Sequence, residues 1–414
     1  MGPSENEFIE LEKIEGGVTA PKGFRATGVS CGLKEGGYKD LGLIYSEIPC
    51  DVVGAFTSNK VKAAPVRLSM MRMGNKISAV IANSGNANCV TGKQGESDAI
   101  RMTGLTEQFL ELPEGSALVA STGVIGENLT MDRVEYGIEK VCRMIKSENN
   151  VANFANAIMT TDTRQKNHAC EFKLGESTVR IGITCKGAGM IKPDVQMFHA
   201  TMLVFITTDI SMQKTLLHDA LKEALEYSFN RISVDNDTST NDTVLLLSNG
   251  AAENAVIEEE NDDYRVFVKA LTELCMASAK AVVKDGEGAN KIVKVEIKHA
   301  LTISDAKKIA RAIADSYLVK TAVFGNSPNW GRVLAAIGYS DAKFDIDRLI
   351  FSINGFAVLE KGEPNRANIA KASAEMIQNE ITFTVDLGVG YKEYYVWTCD
   401  LSYDYVKINA HYIS

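Results

Sequence analysis

Lys186-Gly187-Ala188-Gly189-Met190-Ile191 is followed, after Pro193, by His199-Ala200-Thr201-Met202-Leu203-Val204-Phe205-Ile206-Thr207-Thr208-Asp209. A Gly-rich loop with a lysine invites a phosphate-loop reading. The spacing Gly-x-x-x-x-Gly-Lys-Ser/Thr is absent, so that reading is rejected. What remains is a threonine preceded by a small residue and opening a strongly apolar strand. Such a strand holds its first residue rigidly, and the small residue leaves room for attack on its own carbonyl. Most threonines at strand starts are structural, so the pattern alone leaves both readings open.

Working outward, four further segments carry small polar residues and glycine where a core would carry branched apolar ones. Ala82-Asn83-Ser84-Gly85-Asn86-Ala87-Asn88 follows an apolar run and reads as a strand ending in a tight turn. Ala120-Ser121-Thr122-Gly123-Val124-Ile125-Gly126 pairs a hydroxyl with an unobstructed N–H, as an oxyanion site requires, although an ordinary strand-to-turn junction is commoner. Val234-Asp235-Asn236-Asp237-Thr238-Ser239-Thr240-Asn241-Asp242 reads first as a solvated loop. Its oxygens do not have the spacing of an EF-hand calcium loop. In Asp285-Gly286-Glu287-Gly288-Ala289-Asn290-Lys291, glycines flank Glu287 so that the backbone can approach something closely; the plainer reading is a helix C-cap with an exposed acid.

The remaining chain alternates strands and helices. Residues 23–57 read as hairpin-rich, with a turn at Lys34-Glu35-Gly36-Gly37. A helix is expected from about Ser97, where Met102, Leu105, Phe109 and Leu112 recur at helical spacing before Pro113. Leu217, Leu221, Ala224 and Ser228 mark a second helical stripe, and Phe267, Leu271, Leu274 and Ser278 a third. Val293, Val295 and Ile297 alternate as a strand. Ser304 is read as the N-cap of the helix carrying Ile309 and Ile313. Ile381, Phe383, Val385, Leu387 and Val389 show a period of two, followed by a strand over residues 394–399. Hairpins mixed with helices favour α+β layers over a doubly wound parallel sheet.

The 414 residues suffice for a large core, and the net charge of −9 argues against nucleic acid as a main partner. No apolar run approaches the roughly 20 residues of a membrane helix. The acidic N-terminus resembles neither a secretory signal nor a transit peptide, and a cytoplasmic location is expected. Eight scattered cysteines lack a Cys-x-x-Cys pair and read as buried thiols. Five dispersed histidines give no metal-ligand spacing, so neither a metal nor another cofactor is expected.

Taken together, these segments resemble the glutamate N-acetyltransferase family, also called ornithine acetyltransferases. The similarity runs from Gly23-Phe24-Arg25-Ala26-Thr27-Gly28-Val29 to Ile408-Asn409-Ala410-His411-Tyr412-Ile413-Ser414. It includes Ala157-Ile158-Met159-Thr160-Thr161-Asp162-Thr163 and Phe324-Gly325-Asn326-Ser327-Pro328-Asn329-Trp330-Gly331-Arg332. The resemblance implies an α+β sandwich of layered sheets flanked by helices, similar also to β-peptidyl aminopeptidases. It implies self-cleavage between Ala200 and Thr201, giving an α chain of residues 1–200 and a β chain of residues 201–414, with two of each assembling. Thr201 then carries the acetyl group from N-acetylornithine to glutamate by a ping-pong route, with acetyl-CoA left open as a second donor. By the same resemblance Thr122 and Gly123 form the oxyanion pair. Thr160, Lys186, Thr201, Glu287, Asn409 and Ser414 contact substrate. An amidohydrolase on the same scaffold, or a non-cleaving relative, is the alternative.

Three departures stand out. The segment from Pro193 to Thr201 is several residues longer than the family pattern. Asn236 replaces a glycine, a mild change because Asn tolerates positive φ. Asn290 replaces a threonine, removing a hydroxyl beside a proposed substrate contact.

Overall fold

The computed structural model of the chain describes residues 11–192 and 202–411. Among these, nine strands form one mixed sheet: β1 (Glu12–Ile14), β2 (Phe24–Val29), β3 (Leu41–Phe56), β4 (Ile77–Asn83), β5 (Ala117–Ser121), β6 (Lys166–Leu174), β7 (Ser177–Lys186), β8 (Leu203–Thr208) and β9 (Thr243–Ser248). Their order is β1-β6-β7-β8-β9-β3-β4-β5, with β2 also on β3. Strand β3 joins two halves of this sheet. Its first part pairs with β2 and β4, its last part with β9, and the register shifts between Tyr45 and Cys50.

Side-chain alternation turns the two halves into a sandwich. Leu203 and Phe205 of β8, with Leu245 and Leu247 of β9, share one buried cluster with Ile44, Val80 and Leu118 of β3–β5. Phe154 packs edge-on against Phe205 within it, ring centroids 5.4 Å apart. The opposite faces meet helices. Val204, Ile206, Val244 and Leu246 pack with the apolar stripes of helices Lys214–Tyr227 and Asp262–Lys284. Leu43, Ile81 and Val119 pack with helices Gly92–Leu110 and Met131–Ile145. The layers run helix, sheet, sheet, helix, which is the α+β sandwich that the sequence suggested. Strands β8 and β9 are covered on both sides, which explains their unbroken apolar runs.

A second, seven-stranded sheet has its own core. Its longer strands are β10 (Ile292–Ala300), β11 (Ile350–Ile353), β12 (Phe356–Glu360), β13 (Glu380–Asp386) and β14 (Lys392–Cys399). The order is β12-β11-β13-β10-β14, extended at its edges by Glu363–Pro364 and Ile232–Ser233. The two strands expected near the C-terminus, β13 and β14, are not a hairpin. They flank β10, β13 parallel and β14 antiparallel.

Two local expectations shift. The helix expected from Ser97 begins at Gly92, because Gly92, Lys93 and Gln94 are exposed and add nothing to an apolar stripe. The cap of helix Ile303–Asp315 is Thr302, not Ser304. Thr302 Oγ1 accepts the Asp305 N–H at 3.1 Å, which satisfies one of the free donors of the first turn. All eight cysteines are buried and free. Among the described residues no helix is long and apolar enough to cross a membrane, and no cluster of His, Cys, Asp or Glu could hold a metal ion.

Candidate active site

The parallel strands β8 and β9 begin side by side, Leu203 opposite Thr243, and β7 ends beside them with Lys186 opposite Leu203. In the other half of the sandwich, β4 and β5 end together at Asn83 and Ser121. The chemistry-bearing segments leave these strand ends and meet around one cavity. Its lining includes Thr122, Gly123, Thr160, Lys186, Glu287 and Asn409, with Ser239, Thr240 and Asn241 between them. Six of the residues proposed from the sequence therefore come together. Ala200, Thr201 and Ser414 lie outside the described residues.

The Thr122–Gly123 corner is held by the asparagine-rich turn. Thr122 N–H donates to Asn83 O at 3.0 Å, and Ser121 Oγ donates to Asn83 Oδ1 at 2.6 Å. Asn241 Nδ2 donates to Ala87 O at 2.6 Å and Ser121 O at 2.9 Å, linking the two strand ends. Gly123 has φ +132°, and a Cβ there would collide with the backbone of Gly85 and Asn86. Only glycine suits this position.

On the facing wall, Lys186 is 2% exposed and its Nζ donates to Thr160 Oγ1 at 3.1 Å. Burial pushes its ammonium below the usual lysine range, opposed by the charges of Asp162, Asp242 and Glu287. Asp162 Oδ1 accepts the Gly187 N–H at 2.7 Å and Lys166 Nζ at 2.6 Å. Burial alone would raise the Asp162 carboxyl, but Lys166 and Lys186 hold it below its usual value. Glu287 N–H donates to Ala188 O at 2.9 Å, and Asn409 Nδ2, on helix Tyr403–His411, donates to Glu287 Oε2 at 2.7 Å. Gly189 makes room for this carboxylate, since a Cβ there would overlap it.

Two plainer readings are corrected by burial. The 234–242 loop is solvated only at its tip, Asn236 and Asp237: Asp235, Ser239, Thr240, Asn241 and Asp242 are all buried. Asp235 accepts the N–H groups of Met190 and Ile191 at 2.5 and 2.8 Å, and Asp242 accepts the Met202 N–H at 2.9 Å. This loop thus grips both flanks of the segment that contains Thr201. Glu287 is also buried, so it is not an exposed acid at a helix end. Asn236 has φ 71°, as its replacement of glycine allows. Asn290 turns away to Asp400, its N–H donating to Oδ1 at 2.8 Å. Sequence reasoning missed the buried Lys166, whose only local signal was an aspartate four residues earlier.

The arrangement offers N–H and hydroxyl donors on one wall, and a cation and an anion on the other. It can therefore polarise a carbonyl and hold a small zwitterion. A family model described as the ArgJ family matches residues 25–414. The arginine biosynthesis bifunctional protein ArgJ of Symbiobacterium thermophilum is 47% identical over 405 residues, covering 97% of this chain and 100% of that protein. A glutamate N-acetyltransferase of Methanocaldococcus jannaschii is 46% identical over 412 residues, covering 97% and 100%. A crystal structure of arginine biosynthesis bifunctional protein ArgJ from Bacillus halodurans is 39% identical and covers 50% of this chain and 98% of that one, with a TM-score of 0.49.

Proposed function

The chain belongs to the ArgJ family, and from that premise we propose that it moves an acetyl group from N-acetylornithine to glutamate through an ester on Thr201. It is an acyltransferase of arginine biosynthesis. The observation that carries the mechanism is the single cavity at the head of β8, which gathers Thr122, Gly123, Lys186 and Glu287 from distant parts of the chain.

In this reading the Thr201 hydroxyl first attacks the Ala200 carbonyl, and the amide rearranges to an ester. Water then releases residues 1–200 from residues 201–414. The freed α-amine, with an ordinary pKa of about 7.7–8.0, is a base for its own hydroxyl. In the transfer reaction Thr201 Oγ attacks the acetyl carbonyl of N-acetylornithine. The C–N bond breaks and ornithine leaves with the proton on its amine. The glutamate amine then attacks the acetyl-Thr201 ester, forming N-acetylglutamate and restoring the hydroxyl. Thr122 and Gly123 stabilise the oxyanion in each half, an effect typically worth about 100-fold or more per donor. Lys186, with Asn409 and Ser414, meets the substrate carboxylate, Glu287 meets an ammonium, and Thr160 is a further substrate contact. The two chains assemble as two α and two β copies in the cytoplasm, and acetyl-CoA is a candidate second donor.

Denaturing electrophoresis with an acetyl-transfer assay tests this reading. Wild type should run as two chains and acetylate glutamate from N-acetylornithine, while Thr201→Ala should stay whole and inactive. A single wild-type band near 45.0 kDa would sink the self-processing mechanism. Release of free acetate in place of N-acetylglutamate would favour a hydrolase. Supplying acetyl-CoA alone decides whether a second donor is used.

A further inference from the structure

Lys166 opens β6 and is 2% exposed. Its Nζ donates to Asp162 Oδ1 at 2.6 Å and to Asp285 Oδ2 at 2.5 Å. These carboxylates belong to the two chain segments that carry the cation and the anion of the same cavity wall. Asp162 accepts the N–H of Thr160 at 3.1 Å and that of Gly187 at 2.7 Å, so it fixes the wall bearing Thr160 and Lys186. Asp285 lies two residues before Glu287 and accepts the Thr163 N–H at 3.1 Å. One buried ammonium therefore joins the segment bearing Lys186 to the segment bearing Glu287.

We infer that Lys166 is a positioning residue that sets, through Asp162 and Asp285, the separation of Lys186 from Glu287, and with it the length of amino-acid substrate the cavity accepts. The inference rests on the acetyl-transfer reading of the same cavity. A diamino acid carries a carboxylate at one end and an ammonium at the other. A cation and an anion held at a fixed spacing discriminate among such chains by length. Without Lys166, two carboxylates that touch one nitrogen face each other at no more than about 5 Å, where like charges repel strongly. The two segments then shift apart, or one carboxyl takes a proton and releases its backbone donors. Lys186 would also lose a neighbouring cation. The charges that then act on it are Asp162, Asp242 and Glu287, with Lys34 also within electrostatic reach. Its ammonium should persist to higher pH.

The test uses the full, processed enzyme with glutamate as acceptor. The donors are the Nα-acetyl derivatives of 2,4-diaminobutyrate, ornithine and lysine. Lys166→Met should lower kcat/KM for N-acetylornithine by about tenfold or more, chiefly through KM, and should narrow the preference for ornithine over its shorter and longer homologues. The alkaline limb of the KM profile should move up. Asp285→Asn leaves one carboxylate for one ammonium, so it should fold even where Lys166→Met does not, and should give the same change in smaller measure. An unchanged length preference, with all donors slowed in the same proportion, overturns the positioning role. If wild type itself fails to transfer acetyl from N-acetylornithine, the functional reading falls and this inference falls with it. If wild type transfers normally and both variants keep its selectivity, the inference falls alone.

Discussion

The second sheet and the cavity end of the first are both buried, but they bury opposite chemistry. Around β10–β14 the interior is mostly hydrocarbon: Val295, Ile309, Phe351, Phe383 and Val396 pack with no polar partner to satisfy, although Lys320 is buried at the edge and donates to Thr398 Oγ1 at 2.8 Å. Polar residues alternate outward, as Lys294, Glu296 and Lys298 do along β10. At the cavity the buried residues are Asn83, Thr122, Lys166, Lys186, Asp235 and Asn241, and their partners come from remote segments. Hydrocarbon burial stabilises without needing a particular partner. Polar burial is costly unless each group is paired, so it persists where a specific geometry is needed. The first region is built for stability and the second for chemistry.

The sharpest way to break that contrast is a cavity in the second sheet. Phe351 is fully buried and packs edge-on against Phe383, ring centroids 5.5 Å apart. Phe351→Ala should cost about 4 kcal/mol in denaturant unfolding. Activity per folded molecule should stay at the wild-type level; a comparable loss of kcat/KM would couple the two regions.

A smaller effect is expected at the polar end, from Asp235. Burial raises its carboxyl from 3.8 to about 6, against the pull of the Met190, Ile191 and Asp237 N–H donors. The folded chain thus holds this proton more tightly than the unfolded one. Its contribution to stability is full below pH 3.8 and is lost as pH rises to about 6, by about 3 kcal/mol. Asp235→Asn should flatten that part of the stability profile relative to wild type. An identical slope in both proteins would rule out Asp235 as its source.

The smallest effect separates chemistry from stability. Gly189→Ala places a methyl where the Glu287 carboxylate now sits, so that side chain must leave Asn409. Steady-state assays should show a loss of about tenfold in kcat/KM. Unfolding should change by no more than about 0.5 kcal/mol, because the displaced group is the end of a flexible side chain. A large loss of stability instead would mean that Glu287 is structural.

Much of the architecture was legible in the residues. The period of two at Ile381, Phe383 and Val385 and the stripe Phe267, Leu271 and Leu274 marked their elements, because strand and helix geometry impose those spacings locally. The segments rich in Asn, Gly and Thr were also visible as departures from core composition, and the family motifs joined six of their residues to one function. Elements ending in exposed turns were less legible, as the early start at Gly92 and the cap at Thr302 show.

By itself, then, the sequence determined the elements, the apolar strand that follows Thr201 and the set of segments able to do chemistry. Only the tertiary structure decided which polar residues are buried and whom they hold. Asp242 meets Met202 across 40 residues, Asn241 meets Ser121 across 120, and Lys166 meets Asp285 across 119. A local pattern records backbone geometry and average polarity. It holds no record of a hydrogen bond whose partner arrives only when distant segments of the chain fold together.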